Sequence, residues 1–307
     1  MTAKRATPAP VGFMRTEPIH PAELGGTLFV PATHPGLTAV LSGKKYPQLR
    51  SCVIDLEDGI NAADRPGALR QLQILLPQLA ETTLLRFLRP ASPQMLAELL
   101  QMEGIERFEG FVLPKFGTDN AETWLTLLND NAFAFMPSIE GDDLFSQARL
   151  HALAERLRPY QARIPTVRFG LEDMLRQLGM TRDCVTPLYT LVAPAQVIAT
   201  LLTVFKPHGF NLCGGVYKCF RDADGFAKEL EADLTQGLFG KTIIHPSQID
   251  AVEEAYRVDA AALAQAETIV SASCNVSSFR GMMVEKPTQL PWAQMILRRA
   301  ALYGVNA

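Results

Sequence analysis

Charged side chains recur in this sequence directly after short apolar runs. Asp55, Glu57 and Asp58 follow Cys52-Val53-Ile54. Arg86 lies within the run at 84–88, with Arg89 just beyond it. Lys115 follows GFVLP, Ser138 and Glu140 follow FAFMP, Glu172 and Asp173 follow TVRFG, and His245 ends KTIIH. Apolar runs of this kind read as buried strands, and charged groups are rarely buried without a partner. The carboxylates therefore either reach solvent at the strand ends or meet something positive there. Several carboxylates with few imidazoles suit a hard, oxygen-seeking cation. Mg2+ takes one or two carboxylates and completes its shell with water and substrate oxygens. An arginine beside it would grip a substrate carboxylate through two parallel hydrogen bonds.

Such residues meet only if the strand ends meet. Eight runs rich in β-branched and aromatic residues recur, at 27–31, 52–56, 84–88, 110–114, 133–137, 166–170, 210–214 and 241–245. Between them, stretches such as 65–81, 93–104, 121–131 and 146–160 carry Leu and Ala at three- and four-residue intervals, the pattern of a half-buried helix. Alternating strands and helices predict parallel pairing, and eight such units in this length predict a (β/α)8 TIM barrel. A doubly wound sheet would carry a glycine-rich loop after its first strand, and TLFVPATHPG has no GxGxxG. A barrel gathers the C-terminal ends of its strands on one rim.

The 307 residues are 48% hydrophobic and 20% charged, as in a globular protein with a sizeable core. A net charge of −3 gives no electrostatic case for nucleic acid or an anionic membrane. No run is apolar for long enough to span a bilayer, and MTAKRATPAPVGF lacks the apolar core of a secretory signal. Cys52, Cys184, Cys213, Cys219 and Cys274 are odd in number and show no CxxC spacing, which predicts reduced thiols, a cytoplasmic setting and no zinc.

In order along the chain, TLFVPATHP, VIDLEDGI, LLRF, GFVLPKF, FMPSIE, VRFGLEDM and GKTIIHPSQI resemble the citrate lyase β-subunit (CitE-like) branch of the HpcH/HpaI aldolase superfamily. The GFVLPKF and GKTIIHPS segments look closer still to the C–C bond lyases found near stress- and tellurite-response genes. The resemblance implies an Mg2+-dependent barrel lyase acting on a 3-hydroxy acid or its thioester, of the citryl-, malyl- or citramalyl-CoA type. It also implies a homo-oligomer, trimeric or hexameric. By resemblance, Glu140 and Asp173 are the Mg2+ ligands and Arg86 holds the substrate carboxylate. Glu57 and Asp58 belong to the shell around metal-bound water, and Lys115 matches the lysine of an L-P-K motif. Glu285, in GMMVEKP, is the acid that a neighbouring subunit lends to the site. The chain departs from the family pattern at Gly25-Gly26, where an arginine is usual, and at Leu88, where asparagine is usual; FNLCGGVY lacks the usual acid. Two alternatives remain: thioester hydrolysis on the same site, and a non-catalytic metabolite-binding barrel.

The expected organisation is a loose arm at 1–20, a barrel at 21–260 and a C-terminal helical segment at 261–307. That segment has helices at 262–273 and from about 288 to 303, and its apolar residues are expected to cover a neighbouring rim.

Overall fold

The computed structural model describes residues 17–306, so most of the expected N-terminal arm lies outside the described residues. Seven parallel strands form the central sheet: β1 Gly26–Pro31, β2 Ser51–Asp55, β3 Leu85–Arg89, β4 Gly110–Leu113, β5 Ala134–Ile139, β6 Arg168–Phe169 and β7 Lys241–Ile243. Their order is β6-β5-β4-β3-β2-β1-β7. The remaining gap is spanned by the run at 210–214, where Val167 bridges Leu212 and Gly214 bridges Lys241, both in parallel. All eight expected runs are thus wall elements of one curled α/β barrel.

The run at 210–214 pairs only through bridges for local reasons. Asn211 turns its amide to the Phe239 carbonyl at 2.8 Å and to Thr166 Oγ1 at 3.1 Å. Gly214 lies so close to Asp233 that any side chain there would strike the carboxylate. Side-chain bonds stand in for part of the ladder.

Strand alternation divides the core in two. Val53, Leu85, Phe87, Val112 and Met136 point inward and, with Ile19 and Leu24, plug the lower barrel. Ile54, Leu88, Phe111 and Phe135 point outward against the helices. The helices are α1 Leu37–Leu41, α2 Arg65–Leu75, α3 Pro93–Leu99, α4 Ala121–Leu128, α5 Gln147–Leu157, α6 Leu171–Gln177, α7 Val192–Phe205, α8 Ala223–Thr235 and α9 Ile249–Ala255. Helix α5 shows the expected stripe: Leu150, Leu153, Ala154 and Leu157 are buried, and the Ser146 hydroxyl caps its first turn. Each leucine fully buried in this way contributes roughly 1.5–3 kcal/mol.

Beyond the barrel come β8 Val258–Asp259, α10 Ala260–Ser271, a hairpin of β9 Val276–Phe279 and β10 Met282–Glu285, α11 Lys286–Tyr303, and β11 Val305–Asn306, which pairs with β8. Helices α10 and α11 share a small core of Ala266, Ile269, Val284, Ala293 and Ile296. Pro287 stands in the first turn of α11, where its missing N–H costs nothing and its fixed φ favours the helix start. The end of α11 packs on its own barrel: the Tyr303 hydroxyl donates to the Ala22 carbonyl at 2.7 Å, just before β1.

One expectation fails. Cys184 and Cys219 form a disulfide with a Cα–Cα distance of 5.7 Å, although Cys52, Cys213 and Cys274 are free thiols. The pair lies 35 residues apart. The loops after α6 and after the 210–214 segment bring the two together, a proximity that spacing alone does not reveal.

Candidate active site

A cavity of about 410 Å³ opens at the C-terminal ends of the strands, lined among others by Phe29, Asp55, Arg89, Glu140, Arg168 and Asp173. Alternation explains the set. Asp55 lies two residues beyond the inward Val53, Arg89 two beyond Phe87, and Ser138 and Glu140 continue the parity of Met136.

Asp55 and Arg89 are register partners on β2 and β3. Arg89 Nε donates to Oδ1 at 2.7 Å and Nη2 to Oδ2 at 2.6 Å, a bidentate pair. Arg89 Nη1 also lies 3.2 Å from Glu57 Oε2. Burial works against the Arg89 charge, yet Asp55 and Glu57 hold its pKa above the ordinary value. Asp55 also receives the backbone N–H groups of Glu57 at 2.9 Å and Gly59 at 2.8 Å, which fold the DLEDG turn back over the strand end. Glu57 is 2% exposed, and burial pushes its carboxyl up against the pull of Arg89 and Lys115. Lys115 Nζ reaches Glu57 and also Asp58, the latter at 3.2 Å. Lys115 has φ 49°, a left-handed conformation uncommon for a lysine. Asn120 holds it there by donating to its carbonyl at 2.8 Å, and its own N–H points to Glu140 Oε2 at 3.3 Å.

Glu140 is 4% exposed, and burial pushes its carboxyl up to about 7, with Glu57 and Asp173 adding to the effect against Ser138 and Arg89. Asp173 lies in the first turn of α6, paired with Arg176 at 2.8 Å. Between the two carboxylates stands Gly170. A methyl carbon there would lie 2.6 Å from Glu140 Cγ and 3.3 Å from Asp173 Oδ2. Glycine there leaves room for both acidic side chains to line the cavity. Among the described residues no cluster of three or more His, Cys, Asp or Glu forms a cage able to hold a metal. Glu140 and Asp173 offer carboxylate oxygens alone, the donor type that suits Mg2+ and differs from the thiolates and imidazoles of a structural zinc site.

The sequence matches the model of the C–C bond lyase family of the TIM-barrel fold over residues 18–305. The chain belongs to that family. A citrate lyase subunit beta-like protein of Mycobacterium tuberculosis is 28% identical over 281 residues, 90% of this chain and 95% of that protein. An L-malyl-CoA/beta-methylmalyl-CoA lyase of Rhodobacter capsulatus is 24% identical over 322 residues, 95% of this chain and 99% of that protein. Among solved structures, CitE of M. tuberculosis in complex with magnesium, acetoacetate and coenzyme A superposes with a TM-score of 0.66 at 24% identity, covering 92% of this chain and 99% of that one. That likeness establishes the TIM-barrel fold, and the citrate lyase β-like branch is the one its residues resemble.

For this lyase the structure brings together Glu57, Asp58, Lys115, Glu140 and Asp173 on one rim. It does not bring Arg86 there. Arg86 shares the outward parity of Leu88: its Nη2 donates to the Ala80 carbonyl at 3.2 Å, and its guanidinium lies 6.0 Å from the Phe108 ring. The expected carboxylate role is corrected accordingly, since Arg89 is the β3 arginine of the cavity. Glu285 lies at the start of α11 and is not among the residues lining its own chain's cavity; its carboxylate accepts from Thr288. His245 caps the following turn through Ser247, a structural part. Arg168 also lines the cavity, and nothing in the sequence pattern marks it, since its facing is set by pairing with Ser138.

Proposed function

We propose that this C–C bond lyase cleaves a 3-hydroxyacyl thioester of the citryl-, malyl- or citramalyl-CoA type, using Mg2+ on Glu140 and Asp173. The carrying observation is that Glu140 and Asp173 both pack against Gly170 and both line a cavity that also holds Arg89. Mg2+, when bound, polarises the hydroxyl oxygen that becomes the carbonyl of the leaving oxo acid or aldehyde.

The chain's own residues do the rest. Glu140 and Asp173 supply the anionic oxygens, and the buried Glu140 stays poised between proton and cation. Arg89, fixed by Asp55 and Glu57, sets a rigid positive wall beside them. Glu57, Asp58 and Lys115 form a charged strip at the mouth, suited to ordering water and the acyl group. A carboxylate takes the hydroxyl proton while the α-carbon to carbinol-carbon bond breaks. The bond's electron pair moves onto the acyl carbonyl as an enolate, and protonation at the α-carbon completes the acyl product. We assign the proton-transferring carboxylate to Glu285 of the partner subunit, in a homo-oligomer.

The test is cleavage of citryl-, malyl- and citramalyl-CoA by purified protein with Mg2+ and with EDTA. Turnover of at least one thioester should vanish with EDTA and return with Mg2+. Turnover indifferent to chelation, or release of free CoA without C–C cleavage, would overturn the reading.

A further inference from the structure

Arg168 is 3% exposed and sits inside the barrel. Its Nη1 donates to Thr242 Oγ1 at 2.9 Å, its Nε approaches Met136 Sδ at 3.5 Å, and its guanidinium lies 5.3 Å from the centre of the Phe29 ring. Its Nη2 is buried without a hydrogen-bond partner, and no carboxylate pairs with it among the described residues. The other cations of this cavity and its mouth differ: Arg89 has Asp55 and Glu57, and Lys115 has Glu57 and Asp58.

A guanidinium does not shed its proton, so burial leaves a full unpaired charge. That arrangement is costly unless an anion arrives to meet it. The depth of the charge says what kind of anion. Arg168 is the register partner of Ser138, and Glu140 lies two residues further along β5. Two strand residues rise about 7 Å. The Arg168 side chain also leans back toward Met136, away from the mouth. Its charge is therefore set below the Glu140–Asp173 pair by a step that a short dicarboxylic acid spans.

We propose that Arg168 is a specificity-determining residue, and that the oxo acid bound here carries two carboxylates. One is held beside Glu140 and Asp173, and the other is held on the cavity floor by Arg168 with the Thr242 hydroxyl. This rests on the lyase reading for the upper carboxylate and goes beyond it by naming a dicarboxylic substrate class. It favours an oxo diacid over a monoacid such as pyruvate or glyoxylate.

Calorimetric titration of the full chain decides it, with oxaloacetate and pyruvate as probes in Mg2+ and succinate as a probe without metal. Wild type should bind oxaloacetate roughly 10- to 100-fold more tightly than pyruvate, the effect of one charge-assisted contact. Arg168→Met should erase that ratio while leaving pyruvate within about threefold, a selectivity change that a merely structural role would not produce. Arg168→Lys, which keeps the charge, should retain part of the ratio and serves if the methionine variant does not fold. An unchanged ratio, or equal weakening of both oxo acids, overturns the proposal. If neither oxo acid binds with Mg2+ but succinate binds in an Arg168-dependent way, the lyase reading falls and the floor site stands. If succinate fails as well, both fall.

Discussion

Asp55 and Arg89 face each other across neighbouring strands as register partners, and the guanidinium fork closes on the carboxylate through bonds of 2.7 and 2.6 Å. The pair anchors the cavity wall: Asp55 also gathers the N–H groups of the following turn, and Arg89 also reaches Glu57. Removing the cation leaves two buried acids without it. Arg89→Met should therefore cost about 3 kcal/mol of stability and at least about 100-fold in turnover. Arg86→Lys should lose the contacts to the Ala80 carbonyl and the Phe108 ring, about 1–2 kcal/mol, with turnover within a few-fold of wild type. Urea unfolding and steady-state kinetics on both variants check this. The reverse ranking would return the carboxylate-holding role to Arg86.

The two arginines also show what the sequence made legible. The run LLRFLRP is apolar on both parities, because a barrel strand is buried on both faces. Periodicity therefore located the strand but not which arginine faces the lumen. The decisive fact is the pairing of Arg89 with Asp55, a register property. Arg168 was hidden for the same reason, its parity set only by pairing with Ser138. The carboxylates Glu57, Glu140 and Asp173 were easier: each follows the end of its strand, where a barrel places its chemistry whatever the register. The eight-run pattern gave the barrel, but the disulfide, which depends on where two distant loops lie, left no trace in spacing.

Glu140 carries the pH dependence. Its carboxyl is pushed from 4.5 up to about 7, chiefly by burial. A carboxyl raised in the folded state binds its proton more tightly there than in the unfolded chain. Ionising it therefore weakens the fold progressively as pH climbs from about 4.5 through about 7. Glu140→Gln escapes that cost. Without metal it should be more stable than wild type above pH 7, by on the order of 3 kcal/mol, with the advantage shrinking toward pH 4.5. The same proton competes with the cation, so wild-type Mg2+ affinity should fall by up to about tenfold per pH unit below 7 and level off above. Denaturant melts and Mg2+ titrations at pH 5.5 to 8.5 measure both. An affinity flat across that range would remove Glu140 from the metal site.

Gly170 offers a steric test of the same pair. Its backbone, φ −83° and ψ 95°, is open to alanine, so the effect of a methyl comes from its neighbours alone. That methyl would press on Glu140 Cγ at 2.6 Å and meet Asp173 Oδ2 at 3.3 Å. Gly170→Ala should weaken Mg2+ binding about tenfold or more, as ligand oxygens shift from a near-ideal octahedral shell. It should cost about 1–3 kcal/mol of stability, as overpacking does. Unchanged Mg2+ affinity in a folded variant would show that the cation does not lie between these two acids.

The C-terminal hairpin points to a site completed by a second subunit. Val276, Met282 and Met283 are 57%, 52% and 68% exposed on a hairpin whose Val284 is buried and whose Phe279 is half-buried against the small core of α10 and α11. Glu285 closes that hairpin and lies outside its own cavity. The end of α11 is fixed beside Ala22, before β1, and in this arrangement the hairpin's Glu285 does not line its own cavity. A neighbouring barrel's rim would cover the exposed side chains and receive the acid. Two inactive variants test this: Glu140→Gln, which spoils the barrel side, and Glu285→Gln, which spoils the donated side. Each alone should lower turnover by about 100-fold or more. After subunit exchange at equal amounts, about a quarter of the sites in a cyclic oligomer should pair an intact barrel with an intact Glu285, restoring that share of wild-type turnover. Absence of recovery after demonstrated exchange, or full activity in Glu285→Gln, would show that each chain completes its own site.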